Sequence, residues 1–211
     1  VSKPAVVDFG CKAGGMSMGL HRAGWDVVGV DIEPQAHYPF PFVRGDFLEL
    51  ASDVAFMAQF DAAHGSPPCQ AFTNARVIHG RHHEDLLTPL RALLQAWGGP
   101  WVIENVPGAP MRRDVTLCGS MFGEPRLRRH RWFEFSTPPT DLLLLPPCNH
   151  SRETVSVFGH GGHRYHGVEE WREVMGIDWM TRDELAQAIP PAYGELIGKL
   201  LLLAVVQRNA A

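Results

Sequence analysis

The segment Asp61 to Phe72, "DAAHGSPPCQAF", ends a short apolar run on two prolines and then presents a thiol, Cys69. Two prolines fix two backbone φ angles and remove two amide donors, so the thiol sits on a pre-shaped loop. A cysteine held this way can act as a nucleophile once ionised; taken alone, the segment fits a small buried thiol equally well. The run "WVIENVPG" adds a carboxylate, Glu104, next to Asn105, and "RLRRHRWF" adds a set of arginines. If both strand ends face one crevice, a thiol, an acid and guanidinium groups converge on a single pocket, which is the equipment of nucleophilic catalysis.

The elements that must position these groups follow from periodicity. "AVVDFG" (Ala5 to Gly10) is a buried-strand pattern, followed by the small-residue turn "CKAGGMS" and by "MGLHRAG", which has helical spacing and a glycine stop. "DVVGVDI" is a second β-rich run, and its Asp31 lies 17 residues beyond Gly14, where a ribose-binding acid belongs in a βαβ unit. "FVRGDFLEL" supplies a third short strand before Asp46, and a helical stretch is expected near Ala51 to Gln59. Leu86 to Trp97 has helical periodicity, with Pro89 at a tolerated first-turn position. Alternating strands and helices over the first 135 residues predict a mostly parallel sheet with helices on both faces, and ligands at the carboxyl ends of its strands. After Glu134 the chain turns rich in Pro, Gly and His, and helical spacing returns at "VEEWREVMG", at "TRDELAQAI" behind the cap Thr181, and at "PAYGELIGKLLLLAVVQ".

The combination of "PPCQ", "ENVPG" and a glycine turn followed by "VGVDIEPQ", in that order, resembles the DNA cytosine-5 methyltransferases, most of all their short phage and bacterial forms. The resemblance covers Ala5 to about Phe135 and again Arg182 to Gly198. It implies an α/β, Rossmann-like S-adenosylmethionine-dependent methyltransferase fold with a very small target-recognition region. The corresponding divisions are a catalytic and cofactor-binding core over 1–134, a recognition and loop region over 135–180, and a C-terminal helix completing the core over 181–211. Carried over by motif, Cys69 is the nucleophile, Glu104 the acid, and Arg129 and Arg131 the paired arginines. Phe9, Cys11, Lys12, Gly14 and Gly15 of the turn match positions that hold the cofactor S-adenosylmethionine, as do Asp31, Ile32, Asp46, Phe47 and Pro68. The implied partner is double-stranded DNA with one cytosine swung out of the stack, at a cost of a few kcal/mol. The same motifs also occur in relatives acting on transfer RNA, and a catalytically silent DNA-binding module would keep the fold alone.

That chemistry wants these residue types. Cytosine C5 is a poor nucleophile, so a thiolate adds first to C6 while a carboxylic acid at N3 stabilises the charge pushed into the ring. C5 then behaves as an enamine, takes the sulfonium methyl group, and loses its proton as the thiolate leaves. Only a few per cent of a free thiol, of pKa about 8.5, is ionised at neutral pH, and nearby arginines are expected to raise that share for Cys69. Glu104 must carry or share a proton where it meets N3.

Departures from the family pattern carry their own expectations. "DFGCKAGG" has Gly10 where an aromatic is usual and Lys12 where glycine is usual. Lys12 is expected to face solvent or the cofactor carboxylate; alternatively, its ammonium selects a carboxylated derivative of S-adenosylmethionine and a larger acidic group is transferred. Leu127 replaces the glutamine that normally opens the arginine motif. Only about 45 residues lie between Glu134 and Thr181, so the recognised sequence should be very short, about two to four base pairs. Cys148, His150, His160, His163 and His166 fall outside the common zinc-finger spacings, and no metal is assigned to them. Arg76, His79, Arg81, His82 and His83 are expected to form a loop closing over nucleic acid, while Trp97, Trp101, Trp171 and Trp179 read as core.

Composition bounds the rest. At 211 residues, with 45% hydrophobic and 20% charged residues, the chain is expected to form one domain and to work as a monomer. Its longest apolar stretch, Leu200 to Val206, is far shorter than the roughly 20 residues of a bilayer span, and no leader-like segment opens it. The four cysteines, Cys11, Cys69, Cys118 and Cys148, have no paired spacing. Membrane association is therefore not expected, and a cytoplasmic location, bacterial or in a phage-infected host, is. The net charge of −4 conceals a cluster of six arginines between Arg112 and Arg131, opposed only by Asp114 and Glu124 and expected to clamp phosphates.

Overall fold

A computed structural model of the chain describes residues 3–72, 84–139, 145–150, 153–158 and 167–210. Its centre is a seven-stranded sheet. The strands are β1 (Ala5–Phe9), β2 (Asp26–Asp31), β3 (Phe42–Arg44), β4 (Ala62–Gly65), β5 (Trp101–Asn105), β6 (Val115–Leu117) and β7 (Arg131–Phe135), arranged in the order β3-β2-β1-β4-β5-β7-β6. The first five run parallel, whereas β7 is antiparallel to both β5 and β6.

Among the described residues there are seven α-helices: α1 (Gly15–Arg22), α2 (Phe47–Ser52), α3 (Val54–Met57), α4 (Leu87–Trp97), α5 (Val168–Met175), α6 (Arg182–Gln187) and α7 (Pro191–Ala210). Successive strand residues point to opposite faces, so a parallel strand covered on both sides is apolar at most positions. The core shows this division. Val6, Ala62 and Val102 join Leu20, Trp25, Tyr193 and Ile197 beneath α1 and α7, while their neighbours Val7, Ala63 and Ile103 join Met57, Leu87, Leu90 and Leu94 beneath α3 and α4. α1 and α7 pack almost backbone to backbone, because a Cβ on Gly19 would lie only 2.5 Å from Gly194 Cα. Among the described residues, no helix is long and apolar enough to cross a membrane.

The helix expected over Ala51 to Gln59 is two short helices. Asp53 adopts an extended conformation between them, and its carboxylate accepts the amides of Ala55 (2.8 Å) and Phe56 (3.1 Å), a cap that starts α3 and breaks the run. Asp85 likewise caps α4 through the amides of Leu87 and Thr88. The capping pattern at Thr181 is present, with Glu184 accepting from the Thr181 amide at 2.7 Å and from its hydroxyl at 2.8 Å.

A third, smaller core gathers Leu127, from before β7, with Val155, Val157, Trp171, Val174, Met175, Ile177, Met180 and Leu185 from after it. Its only pairing with the sheet region is a bridge between Leu127 and Val155 among the described residues. Trp101 and Trp171 are buried as expected, whereas Trp97 and Trp179 are only half-buried against their clusters.

Candidate active site

Strand order reverses at β1, which has β2 on one side and β4 on the other. The loops leaving β1 and β4 therefore diverge and open a crevice at the carboxyl edge of the sheet. A cavity of about 220 Å³ occupies this place, lined by residues after β1, β2, β4 and β5 and by Ala186 to Ile189.

Cys69, Glu104 and Arg131 all line that cavity. Cys69 follows Ser66, Pro67 and Pro68 and begins a single 3-10 turn, with the Phe72 amide bonded to its carbonyl at 2.9 Å. Asn105 fastens the same loop, donating from its side chain to the Pro67 carbonyl at 2.9 Å. Glu104 is 5% exposed at the end of β5 and is held from two sides. Arg131 Nε lies 2.9 Å from Glu104 Oε1, and the Ser66 hydroxyl donates to Oε2 at 2.9 Å. The acid and the nucleophile loop are thus tied together by Ser66, a residue of "GSPPC" that sequence reading did not single out.

The arginines act on the thiol in the expected direction but are outweighed. Burial, and after it the Glu104 carboxylate, push the Cys69 thiol above its ordinary value, and Arg131 and Arg129 only partly offset them. The Cys69 thiol is thereby held in its protonated form.

Arg129 does not reach the cavity. It is 3% exposed and donates to the carbonyls of Val157 (2.7 Å) and Ala186 (2.8 Å), joining the small third core to the segment before α7. Burial first, and then the neighbouring Arg131, lower its affinity for the proton. Its role here is that of a buried tie. The arginine cluster as a whole is largely committed: Arg112 pairs with Asp114 and Glu134, Arg126 with Glu124 and Glu173, and Arg131 with Glu104. Arg113 lies over the Trp132 ring, 5.6 Å from its centroid, and together with Arg128 remains exposed.

Of the residues expected to hold a cofactor, Cys11, Lys12, Gly15, Asp31, Ile32, Phe47 and Pro68 line the cavity, and Phe9, Gly14 and Asp46 do not. Phe9 is fully buried in the core under the turn. Gly14 is the left-handed residue that starts α1, packed against Tyr38 and Pro39. Asp46 spends its carboxylate on capping α2, accepting from the Leu48 amide at 2.7 Å. Asp31 is 3% exposed and accepts the amides of Lys12 (3.2 Å) and Glu33 (3.1 Å), whereas Ile32 beside it is 61% exposed at the cavity rim.

The two unusual turn residues have physical reasons. Gly10 has φ +72°, and a Cβ there would stand 2.5 Å from the Ser66 carbonyl oxygen; an aromatic would force the cofactor turn and the nucleophile loop apart. Lys12 has φ +46°, the one described non-glycine residue in the left-handed region, at the position where the family pattern has glycine. Its conformation costs about 1 kcal/mol, and its ammonium lies 3.6 Å from both Asp31 and Glu33.

Sequence reading missed the cavity floor. Asp8 is fully buried and lines the cavity. It accepts from Ser17 Oγ, lies 2.7 Å from His64 Nδ1, and is reached indirectly by Tyr38, whose hydroxyl donates to Ser17 at 2.9 Å. Alternating apolar runs such as "FDAAHG" carry no sign that their histidine meets an aspartate on the next strand. Ala186 to Ile189 were missed too, since nothing in "LAQAI" marks it as a wall of a site built 120 residues earlier. The histidines and arginines of 73–83, and His160, His163 and His166, lie outside the described residues.

The sequence matches no protein-family model and no curated protein. Among solved structures, an alanine triple mutant of Spodoptera frugiperda DNMT2 superposes with a TM-score of 0.65 at 16% identity, covering 94% of this chain and 99% of that one. The Dnmt2 methyltransferase of S. pombe gives 0.63 at 15% identity over 96% and 99% of the two chains. The methyltransferase EhMeth of Entamoeba histolytica gives 0.61 at 11% identity over the whole of both. At these identities the likeness is one of architecture: the chain has the Rossmann-like fold of S-adenosylmethionine-dependent methyltransferases.

Proposed function

We propose that the chain transfers a methyl group from S-adenosylmethionine to C5 of a cytosine in double-stranded DNA, through a covalent bond between Cys69 and C6. The observation that carries this reading is that Cys69, Glu104 and Arg131 line one cavity together with the turn after β1 and the buried Asp31. The cavity's chemistry fits such a cofactor. A buried carboxylate suits a ribose diol, and the apolar Ile32, Phe47 and Pro68 suit a purine face. Gly10 lets the turn after β1 close against the Ser66 carbonyl, which keeps that turn and the Cys69 loop beside one another at the cavity. When bound, S-adenosylmethionine supplies a sulfonium methyl group.

The protein's own groups do the remaining work. Glu104, oriented by Arg131 and Ser66, meets N3 of the extruded base and shares a proton with it. As the base arrives, the Cys69 thiol gives its proton, through water, to the Glu104 carboxylate, which shares it with N3; with that negative charge diminished, the thiolate left behind is stabilised. The thiolate adds to C6, and C5 takes the methyl group. C5 then gives up its proton to solvent, the C6–S bond breaks to release a thiolate, and that thiolate takes up a proton to restore the resting thiol.

Lys12 favours the unmodified donor, because its ammonium is engaged by Asp31 and Glu33. Mass analysis of product DNA decides this: a gain of about 14 Da per cytosine is methyl transfer, and a larger acidic increment would mean a carboxylated donor. The small third core leaves room for a recognition surface of about two to four base pairs, with Arg113 and Arg128 free to meet phosphates. The proposed working state is a cytoplasmic monomer.

The deciding experiment incubates the protein and labelled S-adenosylmethionine with duplex DNA carrying 5-fluorocytosine, and in parallel with transfer RNA carrying the same fluorinated base. A denaturation-resistant protein–DNA adduct supports the reading. An adduct with RNA alone would move the substrate to RNA, and none with either would leave a silent binding module.

Two further outcomes are expected. Glu104→Gln keeps the size of the side chain but cannot give up a proton at N3, and kcat should fall about 10²-fold, measured in single turnover. Because the resting thiol is protonated, kcat/KM for nucleic acid should rise with pH, by up to about tenfold per unit between pH 7 and 8.5. A flat profile would show the thiolate already formed at neutrality.

A further inference from the structure

Away from the cavity, Cys118, which follows β6, and His130, which precedes β7, meet Cys148 and His150 from the stretch 145–150. One donor atom from each of the four lies within 4.8 Å of every other. Cys148 Sγ is 2.8 Å from His150 Nε2 and 3.4 Å from His130 Nε2, and Cys118 Sγ is 3.3 Å from the same His150 nitrogen. The two imidazole rings stand at 85° to each other, with centroids 5.2 Å apart. In a tetrahedral site with Zn–S of about 2.3 Å and Zn–N of about 2.0–2.1 Å, the ligand atoms are about 3.3–3.8 Å apart. The four side chains already approach that spacing without an ion.

We propose that Cys118, His130, Cys148 and His150 bind one structural zinc ion. Two thiolates and two neutral imidazoles are the donor set zinc takes in closed four-coordinate sites, and harder cations such as magnesium and calcium are disfavoured by sulfur. Binding converts two thiols to thiolates, releases their protons to solvent and leaves the dication neutralised. The surroundings are built for it. The Ser120 hydroxyl donates to Cys148 Sγ at 3.4 Å and accepts the Asn149 amide at 3.1 Å, which fixes the Cys-x-His stretch against the turn after β6.

The ion explains how a stretch with little regular structure is held. "PPCNH" forms no helix or strand, yet it lies against the hairpin of β6 and β7 that carries Arg131 into the cavity. A small region with little core of its own gains most from such a staple. Spacing alone could not reveal the site, because two of its ligands, Cys118 and His130, come from outside the histidine-rich segment. The inference stands on donor geometry and is independent of whether Cys69 performs the proposed transfer.

The test uses the full chain purified under reducing conditions without chelator. Elemental analysis should find about one zinc per chain. After metal removal, Co2+ alone should give the intense visible bands of a tetrahedral site together with a thiolate-to-cobalt charge-transfer band. Cys148→Ser, at an exposed position, should keep the circular dichroism of the parent while weakening Co2+ binding at least about tenfold and halving the charge-transfer intensity. Cys118→Ser should do the same; should that buried substitution unfold the chain, Cys148→Ser and His150→Ala still decide. The proposal is overturned by a metal-free protein that gives no tetrahedral Co2+ spectrum. It is equally overturned by an unchanged spectrum in Cys148→Ser and His150→Ala, or by a Cys118–Cys148 disulfide as the form isolated from reducing buffer.

Discussion

Cys69→Ala is expected to lower methyl transfer by about 10⁴-fold or more and to remove the trapped adduct with 5-fluorocytosine DNA altogether. The size follows from the chemistry: without addition at C6, C5 has no enamine character, and no neighbouring group can replace the bond to sulfur. Cys69 is half-exposed at the cavity wall and its side chain holds no part of the core, so the substitution should change stability by about 1 kcal/mol or less. Nucleic-acid affinity should survive as well, since the arginines are untouched. This separation of rate from folding and binding gives the test its force. Residual transfer above about one per cent in the alanine variant would remove the thiol from the reaction and the covalent reading with it.

Arg129→Ala should be the most damaging change to stability, although Arg129 lies outside the cavity. Its guanidinium donates to Val157 and Ala186, carbonyls on the two sides of the small third core, and Tyr193 from α7 donates to its own carbonyl at 2.8 Å. Removing it strands two acceptors and leaves a void among buried side chains. Hydrogen bonds from a charged donor contribute about 1.5–3 kcal/mol each. Relief of one buried cation beside Arg131 offsets part of this loss. The expected net cost is about 3 kcal/mol, or a fall of about 6–12 °C in Tm for a chain of this size. Arg129→Lys should recover less than half, because one ammonium cannot reach both carbonyls with the same planar fork. Activity should fall through displacement of Ala186 to Ile189 from the cavity wall, appearing mainly in KM for the cofactor. If the variant melts like the parent and loses only kcat, Arg129 acts on the substrate directly.

The contrast between Arg129 and Arg131 shows how far a motif reaches. Two arginines one residue apart suggest a pair with one purpose, but near the start of a strand alternate residues need not share an environment. Arg131 meets Glu104 across the sheet edge, whereas Arg129 turns into the third core. The thiol shows the same gap for a different reason. Arginines nearby in sequence suggested a lowered thiol, yet burial and the adjacent Glu104 carboxylate outweigh them, because Arg131 is paired with that carboxylate and Arg129 turns to backbone carbonyls. Charge counted along a chain says nothing of which charges are spent on one another.

Local rules determined a good deal on their own. Period-two apolar runs, glycine and proline punctuation and capping residues set the βαβ order, the parallel core of the sheet, and the strand ends on which Cys69, Glu104 and Asp31 stand, since each depends only on neighbours in the chain. Tertiary structure alone decided the antiparallel turn of β7 and the Ser66 contact that fixes Glu104. It also decided the closing of the cavity by Ala186 to Ile189 and the meeting of Cys118 and His130 with Cys148 and His150. Each of these joins residues distant in sequence, and such contacts form only when burial of the apolar faces brings the elements together, which no local pattern encodes.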